Sequence, residues 1–262
     1  MKTILISGGG TGIGKATALM CAKAMNCNLI LTGRRLEPLN KVADTIHEET
    51  SSKAYIFTFD IRDKEACTEF WNNLPEDLKH VDILINNAGL AKGLAEIHEG
   101  DTDHWDQMID TNVKGLLYLT RLVSPQMVER RSGHIVNVGS IAGKETYPKG
   151  NVYNASKFAV EALTRAIRMD LYKYNIRVSS VSPGAVEETE FAIVRFDGDA
   201  EKAKIYEDYK PLNSADIASM IYFIISQPEH INIQDILVTS TQQGSAMLTD
   251  RSGRKWMLDN WH

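Results

Sequence analysis

Thr3-Ile4-Leu5-Ile6-Ser7-Gly8-Gly9-Gly10-Thr11-Gly12-Ile13-Gly14-Lys15 is the stretch that decides the fold. Its apolar, β-branched start predicts a buried strand, and its glycine-rich turn leads straight into a predicted helix. Such a turn lets the backbone approach a pyrophosphate, to which the helix presents its free N–H groups. The spacing of the glycines differs from the commoner G-x-G-x-x-G. A phosphate-binding turn is therefore predicted, and a glycine turn without a ligand remains the alternative.

Outward from this turn, short apolar runs alternate with helical segments along the chain. Strands are predicted over 3–7, 28–32, 54–59, 81–86, 134–139, 176–182 and 235–239, and helices over 13–25, 36–48, 63–73, 103–130, 152–174 and 214–226. Strands that are apolar on both faces are typical of parallel sheets covered by helices. We therefore predict an α/β fold, a single-domain, doubly wound (Rossmann-type) sheet of seven parallel strands with helices on both faces.

Two segments depart from the alternation. Residues 184–213 carry many charged and aromatic side chains after the sixth predicted strand. A long insertion at the carboxyl edge of a sheet is often a binding loop, so we expect a small substrate lid here, with a surface excursion as the alternative. Residues 1–262 are expected to form one dinucleotide-binding domain, in which 243–262 is a C-terminal tail without an assigned role.

Composition limits the function classes. The chain has 262 residues, 43% of them hydrophobic and 24% charged, as in ordinary soluble proteins. A formal net charge of -5 argues against a nucleic-acid or anionic-membrane partner. No signal-like region and no apolar run of ~18 residues is present, so a cytoplasmic location is expected. Cys21, Cys27 and Cys67 lack metal spacing and are odd in number, so we expect reduced thiols and no metal site.

The end of the second predicted strand, Leu31-Thr32-Gly33-Arg34-Arg35, indicates which dinucleotide is bound. Proteins that bind NAD usually place an acidic residue here, on the ribose 2′-hydroxyl. Two guanidinium groups instead suit a 2′-phosphate. A solvated arginine pair would be unfavourable beside the positive end of a helix dipole. The sequence therefore predicts NADP in preference to NAD, although Glu37 brings a carboxylate close by.

Tyr153 and Lys157 stand four residues apart in the predicted helix 152–174, so both side chains lie on one face. A fixed positive charge lowers the pKa of a neighbouring tyrosine, which then can act as a general acid/base. A solvated tyrosine beside a lysine is the alternative. Ser140 follows the fifth strand and Asn112 lies in the predicted helix 103–130. Singly they are a turn serine and a buried amide, but together with the pair they indicate a catalytic set.

The ordered set of motifs resembles the short-chain dehydrogenase/reductase family across nearly the whole chain. The motifs on which this resemblance rests are the glycine turn, Asp60-Ile61, Asn86-Asn87-Ala88-Gly89, Asn112, Ser140, Tyr153 with Lys157, and Pro183-Gly184. The resemblance implies an enzyme that transfers a hydride between a CH–OH carbon and NADP. It also implies that the catalytic residues are Asn112, Ser140, Tyr153 and Lys157, with Asn112 anchoring a water that links Lys157 to solvent.

The resemblance further implies how each part of the cofactor is held. Gly8, Gly9, Gly10, Thr11, Gly12 and Ile13 would hold the pyrophosphate, and Arg34 and Arg35 the 2′-phosphate. Asp60 would accept from the adenine amino group, with Ile61 beside the ring. The remaining cofactor contacts would come from Asn87, Ala88, Gly89, Tyr153, Lys157, Pro183, Gly184, Val186, Thr189 and Phe191.

Further segments look like those of the NADP-dependent 3-hydroxy acid dehydrogenases of the serine and L-allo-threonine type, and of related sulfoacetaldehyde reductases. They are residues 87–91, 110–115, 189–196 and 230–233. The likeness implies a small polar hydroxy acid or hydroxy sulfonate, bound by Ser140, Tyr153 and Arg195, and a homodimer or homotetramer. Arg195 is either a clamp for the acidic group or a surface arginine paired with a glutamate at 187, 188 or 190, and both remain open.

Two other functions compete. One is a reductase of 3-oxoacyl chains or other larger carbonyls, and the other is a non-catalytic NADP-sensing regulatory protein. A sensor has no need of an acid/base pair, so intact Ser140, Tyr153 and Lys157 argue against it.

Overall fold

The computed structural model describes residues 1–202 and 208–252. It holds one seven-stranded sheet in the order β3-β2-β1-β4-β5-β6-β7, and all neighbouring strands are parallel. The strands are β1 Lys2–Ser7, β2 Cys27–Gly33, β3 Lys53–Thr58, β4 Ile83–Asn86, β5 Gly133–Val138, β6 Ile176–Pro183 and β7 Asp235–Val238. The strand order reverses between β1 and β4, and open sheets of this kind bind ligands at that switch point.

Helices cover both faces of the sheet. They are α1 Gly12–Ala24, α2 Leu36–Glu49, α3 Lys64–Asn73, α4 Thr102–Ile109, α5 Leu116–Arg130, α6 Asn151–Leu171, α7 Phe191–Arg195 and α8 Ser214–Ile225. Side chains alternate along each strand, so Ile4 packs with α1, α2 and α8, whereas Leu5 packs with α3, α5 and α6. The predicted doubly wound α/β fold is confirmed.

The range 103–130 is helical throughout, as predicted, but it is not one uninterrupted α-helix. It is interrupted between α4 and α5 by a π-helical segment, Asp110–Gly115, which contains Asn112. The Asn112 side chain exchanges hydrogen bonds with the backbone of Leu90, donating at 2.9 Å and accepting at 2.8 Å. A π-turn carries one more residue than an α-turn, and such turns occur frequently at functional sites. The wider π-turn places the Asn112 side chain next to the loop that follows β4.

The predicted lid contains the short helix α7 and closes on itself where Val186 pairs with Leu212. Residues 203–207 of the lid and 253–262 of the tail lie outside the described residues. The described part of the tail forms a hairpin, in which Gln243 pairs with Thr249. None of the helices in the part of the chain that the structure describes is long and apolar enough to cross a membrane.

Candidate active site

A cleft of about 600 Å³ opens at the carboxyl edge of the sheet. It brings together most of the residues that the sequence predicts for the site. Lining it are Gly8, Gly10, Thr11, Gly12, Ile13, Arg34, Arg35, Asp60, Ile61, Asn87, Ala88, Gly89, Ser140, Tyr153, Lys157, Pro183, Gly184, Val186, Thr189, Phe191 and Arg195. Two predicted residues, Gly9 and Asn112, do not line it.

The glycine turn has the geometry of an anion site. Gly8 and Gly12 have φ of +67° and +52°, a backbone region that favours glycine. A Cβ at Gly14 would lie 2.1 Å from the Gly8 carbonyl oxygen, so no side chain fits there. The first turn of α1 contains no acidic residue, and Thr11 gives it no side-chain cap. Its free N–H groups therefore suit a pyrophosphate.

Gly9 has a structural position instead. Its N–H donates to the Thr32 carbonyl oxygen at 3.0 Å. A Cβ built on it would lie 3.1 Å from the Leu31 side chain, so this face of the residue points at the sheet and not at the cleft. The geometry therefore does not support the predicted contact between Gly9 and the pyrophosphate.

Asn87 ties the ends of β1 and β4 together. Its Nδ2 donates to the carbonyl oxygens of Ser7 and Gly8, at 2.9 and 3.2 Å. The Ser7 Oγ in turn accepts from the backbone N–H groups of Asn87 and Ala88, at 3.1 and 3.0 Å. The hydroxyl at position 7 and the amide at position 87 thus hold the phosphate turn in place.

Beside the two arginines that follow β2, the carboxylate that contacts Arg35 is Glu190 of segment 184–213. Glu190 Oε2 lies 2.5 Å from Arg35 Nη2 and accepts from Thr11 Oγ1 at 3.3 Å. Glu37 instead pairs with Lys41 at 2.7 Å along the exposed side of α2. The nearby Glu37 noted in the sequence is thus not the partner of Arg35, because the fold brings the distant Glu190 to this arginine.

Asp60 is held as an acceptor. Arg62 donates to both of its carboxylate oxygens, at 2.6 to 3.0 Å. This bond, with a smaller contribution from Arg34, holds the pKa of the Asp60 carboxyl below its usual value. A carboxylate that stays ionised accepts hydrogen bonds only, which suits the predicted contact with an amino group.

Tyr153 and Ser140 line the cleft, and Tyr153 lies beside segment 184–213. Both are buried, and the Tyr153 ring packs edge-on against Phe191 with 5.7 Å between centroids. Ser140 Oγ accepts from the Ala142 N–H at 3.1 Å, which leaves the hydroxyl proton to donate elsewhere. Both side chains line the same cleft.

Lys157 is buried one turn after Tyr153. Its ammonium donates to the Val138 carbonyl oxygen at 3.0 Å. Burial lowers the pKa of Lys157 to about 8, and the charge of Glu161 opposes that effect. The side chain is thus still charged at neutral pH.

Asn112 lies behind Lys157. Besides its bonds to Leu90, its Nδ2 donates to Ser156 Oγ at 3.0 Å. These partners use both donors of the amide. Its Oδ1 lies close to the position of Gly89, as does Lys157 Nζ. Only this oxygen has capacity left for the predicted water.

Arg195 is buried and is not a surface arginine paired with Glu187, Glu188 or Glu190, so that alternative is wrong. Its guanidinium stacks 5.5 Å from the Tyr147 ring centroid and 5.7 Å from that of Tyr153. Its Nε donates to the Gly93 carbonyl oxygen at 3.2 Å. Within residues 1–202 and 208–252, its Nη2 has no hydrogen-bond partner. A cationic donor is therefore available beside the tyrosine.

Several lining residues carry no motif and are missed by sequence reasoning. They are Leu94, Tyr147, Pro148, Tyr209, Gln243, Ala246, Thr249 and Arg251. The last four belong to or adjoin the tail hairpin, whose return to the cleft depends on contacts such as that of the Gln243 side chain with the Ala185 N–H at 2.8 Å.

The chain is similar to several known proteins. A family model described as short chain dehydrogenase matches residues 2–199. A probable NADP-dependent dehydrogenase of Haemophilus influenzae is 43% identical over 247 residues, which are 93% of this chain and 95% of that protein. An NADP-dependent 3-hydroxy acid dehydrogenase of Salmonella typhi is 39% identical over 247 residues, or 94% of this chain and 98% of that one. The closed form of a serine dehydrogenase complexed with NADP+ has a TM-score of 0.89 at 38% identity, over 94% of this chain and 98% of the other.

Proposed function

The chain belongs to the short-chain dehydrogenase family, and we propose that it interconverts a small polar 3-hydroxy acid, or hydroxy sulfonate, with its carbonyl form. It is an oxidoreductase that acts on CH–OH groups with NADP, in line with the names of its relatives, which are NADP-dependent dehydrogenases. The observation that carries the choice of substrate is Arg195, a buried guanidinium that stacks on the Tyr153 ring and whose Nη2 has no hydrogen-bond partner among the described residues.

The proposed chemistry assigns proton handling to the protein. A bound nicotinamide cofactor supplies or accepts the hydride. During reduction, negative charge builds on the carbonyl oxygen, to which Ser140 and Tyr153 donate hydrogen bonds before Tyr153 releases its proton. During oxidation, the Tyr153 phenolate accepts the hydroxyl proton. The charged Lys157 stabilises that phenolate.

The acidic group of the substrate is assigned to Arg195. A buried donor without a partner costs ~1–3 kcal/mol, and an oxygen of a carboxylate or sulfonate would satisfy it. Guanidinium groups match such anions bidentately. Because the guanidinium stacks on Tyr153, a substrate held there has only a short distance between its acidic group and its reacting carbon. This geometry suits a small hydroxy acid better than a long acyl chain.

A turnover panel tests the proposal. Loss of NADPH absorbance is followed with 3-oxopropanoate, sulfoacetaldehyde, neutral propanal and a 3-oxoacyl thioester. We expect the small acids to exceed propanal in kcat/KM by ~10- to ~150-fold, the range that a hydrogen bond to a charged group supports. Preference for the thioester would favour the reductase of larger carbonyls. NADPH binding without turnover of any member would favour the sensor.

A second prediction concerns Glu190, whose carboxylate competes with a 2′-phosphate for Arg35. The pair is largely exposed, and exposed pairs are worth ~0.2–1 kcal/mol. Glu190→Gln should therefore tighten NADP+ binding by up to ~5-fold and leave NAD+ binding unchanged, as measured by calorimetry. Glu37→Gln is the matched control, with no expected effect on either. Weaker NADP+ binding by the Glu190 variant would mean that Glu190 orients the arginine instead.

The oligomeric state is proposed from exposed apolar side chains on the long helices. Leu117 on α5 and Phe158 on α6 are 38% and 41% exposed. A homodimer or homotetramer that pairs these helices would cover them, and light scattering after gel filtration measures its mass. The cytoplasmic location expected from the sequence stays a prediction.

A further inference from the structure

A second buried charge lies beneath the catalytic residues. Glu161 is 6% exposed and follows Lys157 by four residues in α6, so the two side chains are neighbours on the same face. Its Oε1 accepts from Ser180 Oγ and Ser182 Oγ of β6, at 2.8 and 2.9 Å. Its Oε2 accepts from Lys144 Nζ at 2.6 Å. These donors offset the cost of burying the carboxylate, so the charge can be kept there.

The surroundings of Glu161 connect it to the reacting groups. A Cβ at Gly139 would lie 2.8 Å from Glu161 Oε1, so the carboxylate packs directly against the residue between Val138 and Ser140. A Cβ at Gly143 would lie 2.6 Å from the Lys157 carbonyl oxygen and 3.2 Å from Glu161 Cγ. The carboxylate is thus next to the segment that holds the Lys157 ammonium and carries the Ser140 hydroxyl.

We propose that Glu161 is a positioning residue for the reaction, whose buried negative charge keeps Lys157 protonated. The positive charge of Lys144 partly offsets the effect of Glu161 on Lys157. The proposal deepens the proposed function and rests on it, because it matters only if Lys157 must be charged during turnover. Glu161 stays ionised itself. Burial raises the pKa of its carboxyl, but the donors Lys144, Ser180 and Ser182 outweigh that effect and hold it below the usual value.

Every charged or titratable group that the described structure places around Lys157 enters this balance. These groups are Tyr153 and Glu161 on α6, Lys144 after β5, Asp235 at the start of β7, and Tyr147 and Arg195 beyond the Tyr153 ring. Asp235 Oδ2 lies 2.8 Å from Lys144 Nζ and is 43% exposed, so it offsets the charge of Lys144 only in part. Removing either member of the Glu161–Lys144 pair therefore leaves the other charge acting on Lys157.

Two substitutions move the Lys157 titration in opposite directions. Glu161→Gln keeps the shape and loses the negative charge, so Lys157 should deprotonate at a pH lower by about one unit. Lys144→Met leaves Glu161 uncompensated, so Lys157 should deprotonate at a higher pH. Lysine labelled with carbon-13 at Cε gives the titration by NMR in the protein without cofactor. The resonance is assigned by its loss in Lys157→Met.

The same order should hold for the alkaline limb of kcat for alcohol oxidation, in which the Tyr153 phenolate is the active form and activity is lost as Lys157 deprotonates. A merely structural role would lower activity in both variants without moving the two midpoints apart. Coincident NMR midpoints in the wild type and both variants would overturn the proposal. If instead the wild-type enzyme turns over no substrate of the panel, the proposed function fails, and the NMR titration still reports on Glu161.

Discussion

Tyr153→Phe should lower kcat for both reduction and oxidation by ~100- to ~10,000-fold, the range of general acid–base catalysis. The substitution removes one hydroxyl and leaves the ring that packs against Phe191 and the Arg195 guanidinium. The proposed proton donor and acceptor is lost, whereas the glycine turn that we expect to hold the pyrophosphate is unchanged. NADPH affinity, measured by fluorescence, should therefore stay within a few-fold of the wild type.

The matched control for this prediction is Tyr147→Phe. Tyr147 lines the same cleft and also stacks against the Arg195 guanidinium, so the variant removes a second tyrosine hydroxyl nearby. Burial raises the pKa of Tyr147, which Arg195 only partly opposes, so its phenol is a poor proton carrier. We expect a far smaller loss of kcat in this variant. Equal losses in the two variants would contradict the assignment of the proton to Tyr153.

Arg195→Met should lower kcat/KM for 3-oxopropanoate by ~10- to ~150-fold, because a hydrogen bond to a charged group is lost. Methionine keeps the apolar stem between the rings and removes the cation. The kcat/KM for neutral propanal should change little. The quantity to compare between variants is therefore kcat/KM for 3-oxopropanoate divided by kcat/KM for propanal. This ratio separates loss of the clamp from disturbance of the Tyr153 ring, which would affect both substrates alike.

Arg195→Lys extends this test. A lysine keeps the positive charge but not the planar fork of donors that matches a carboxylate. It should restore part of the preference for the acid. A preference that survives in Arg195→Met would place the acidic group of the substrate elsewhere in the cleft.

The fold and most of the cleft follow from local patterns in the sequence. Each strand is a short apolar run, and parallel strands bring their carboxyl ends to one edge, so the residues after β1, β2, β3, β4, β5 and β6 had to meet. The glycine turn and the helical spacing of Tyr153 and Lys157 are equally local. For this reason the predicted strands and helices lie close to the observed ones, apart from the break at the π-helical segment.

Contacts between distant segments could not be predicted in the same way. The burial of Arg195 depends on Gly93, about a hundred residues earlier in the chain, and the partner of Arg35 is Glu190 in the lid. The sequence shows that an arginine can pair with an acidic side chain. It does not show which of several glutamates the fold will bring close to that arginine. The return of the tail hairpin to the cleft is likewise fixed by packing and not by any motif.

The most direct test of the account is the initial rate of cofactor reduction with 3-hydroxypropanoate, measured beside its methyl ester and with NADP+ or NAD+. The ester has the same reacting carbon without the charge, and NAD+ has the same nicotinamide without the 2′-phosphate. We predict that the acid with NADP+ exceeds both the ester and the NAD+ reaction by ~10-fold or more in kcat/KM. An ester oxidised as well as the acid, or NAD+ used as well as NADP+, would contradict the account.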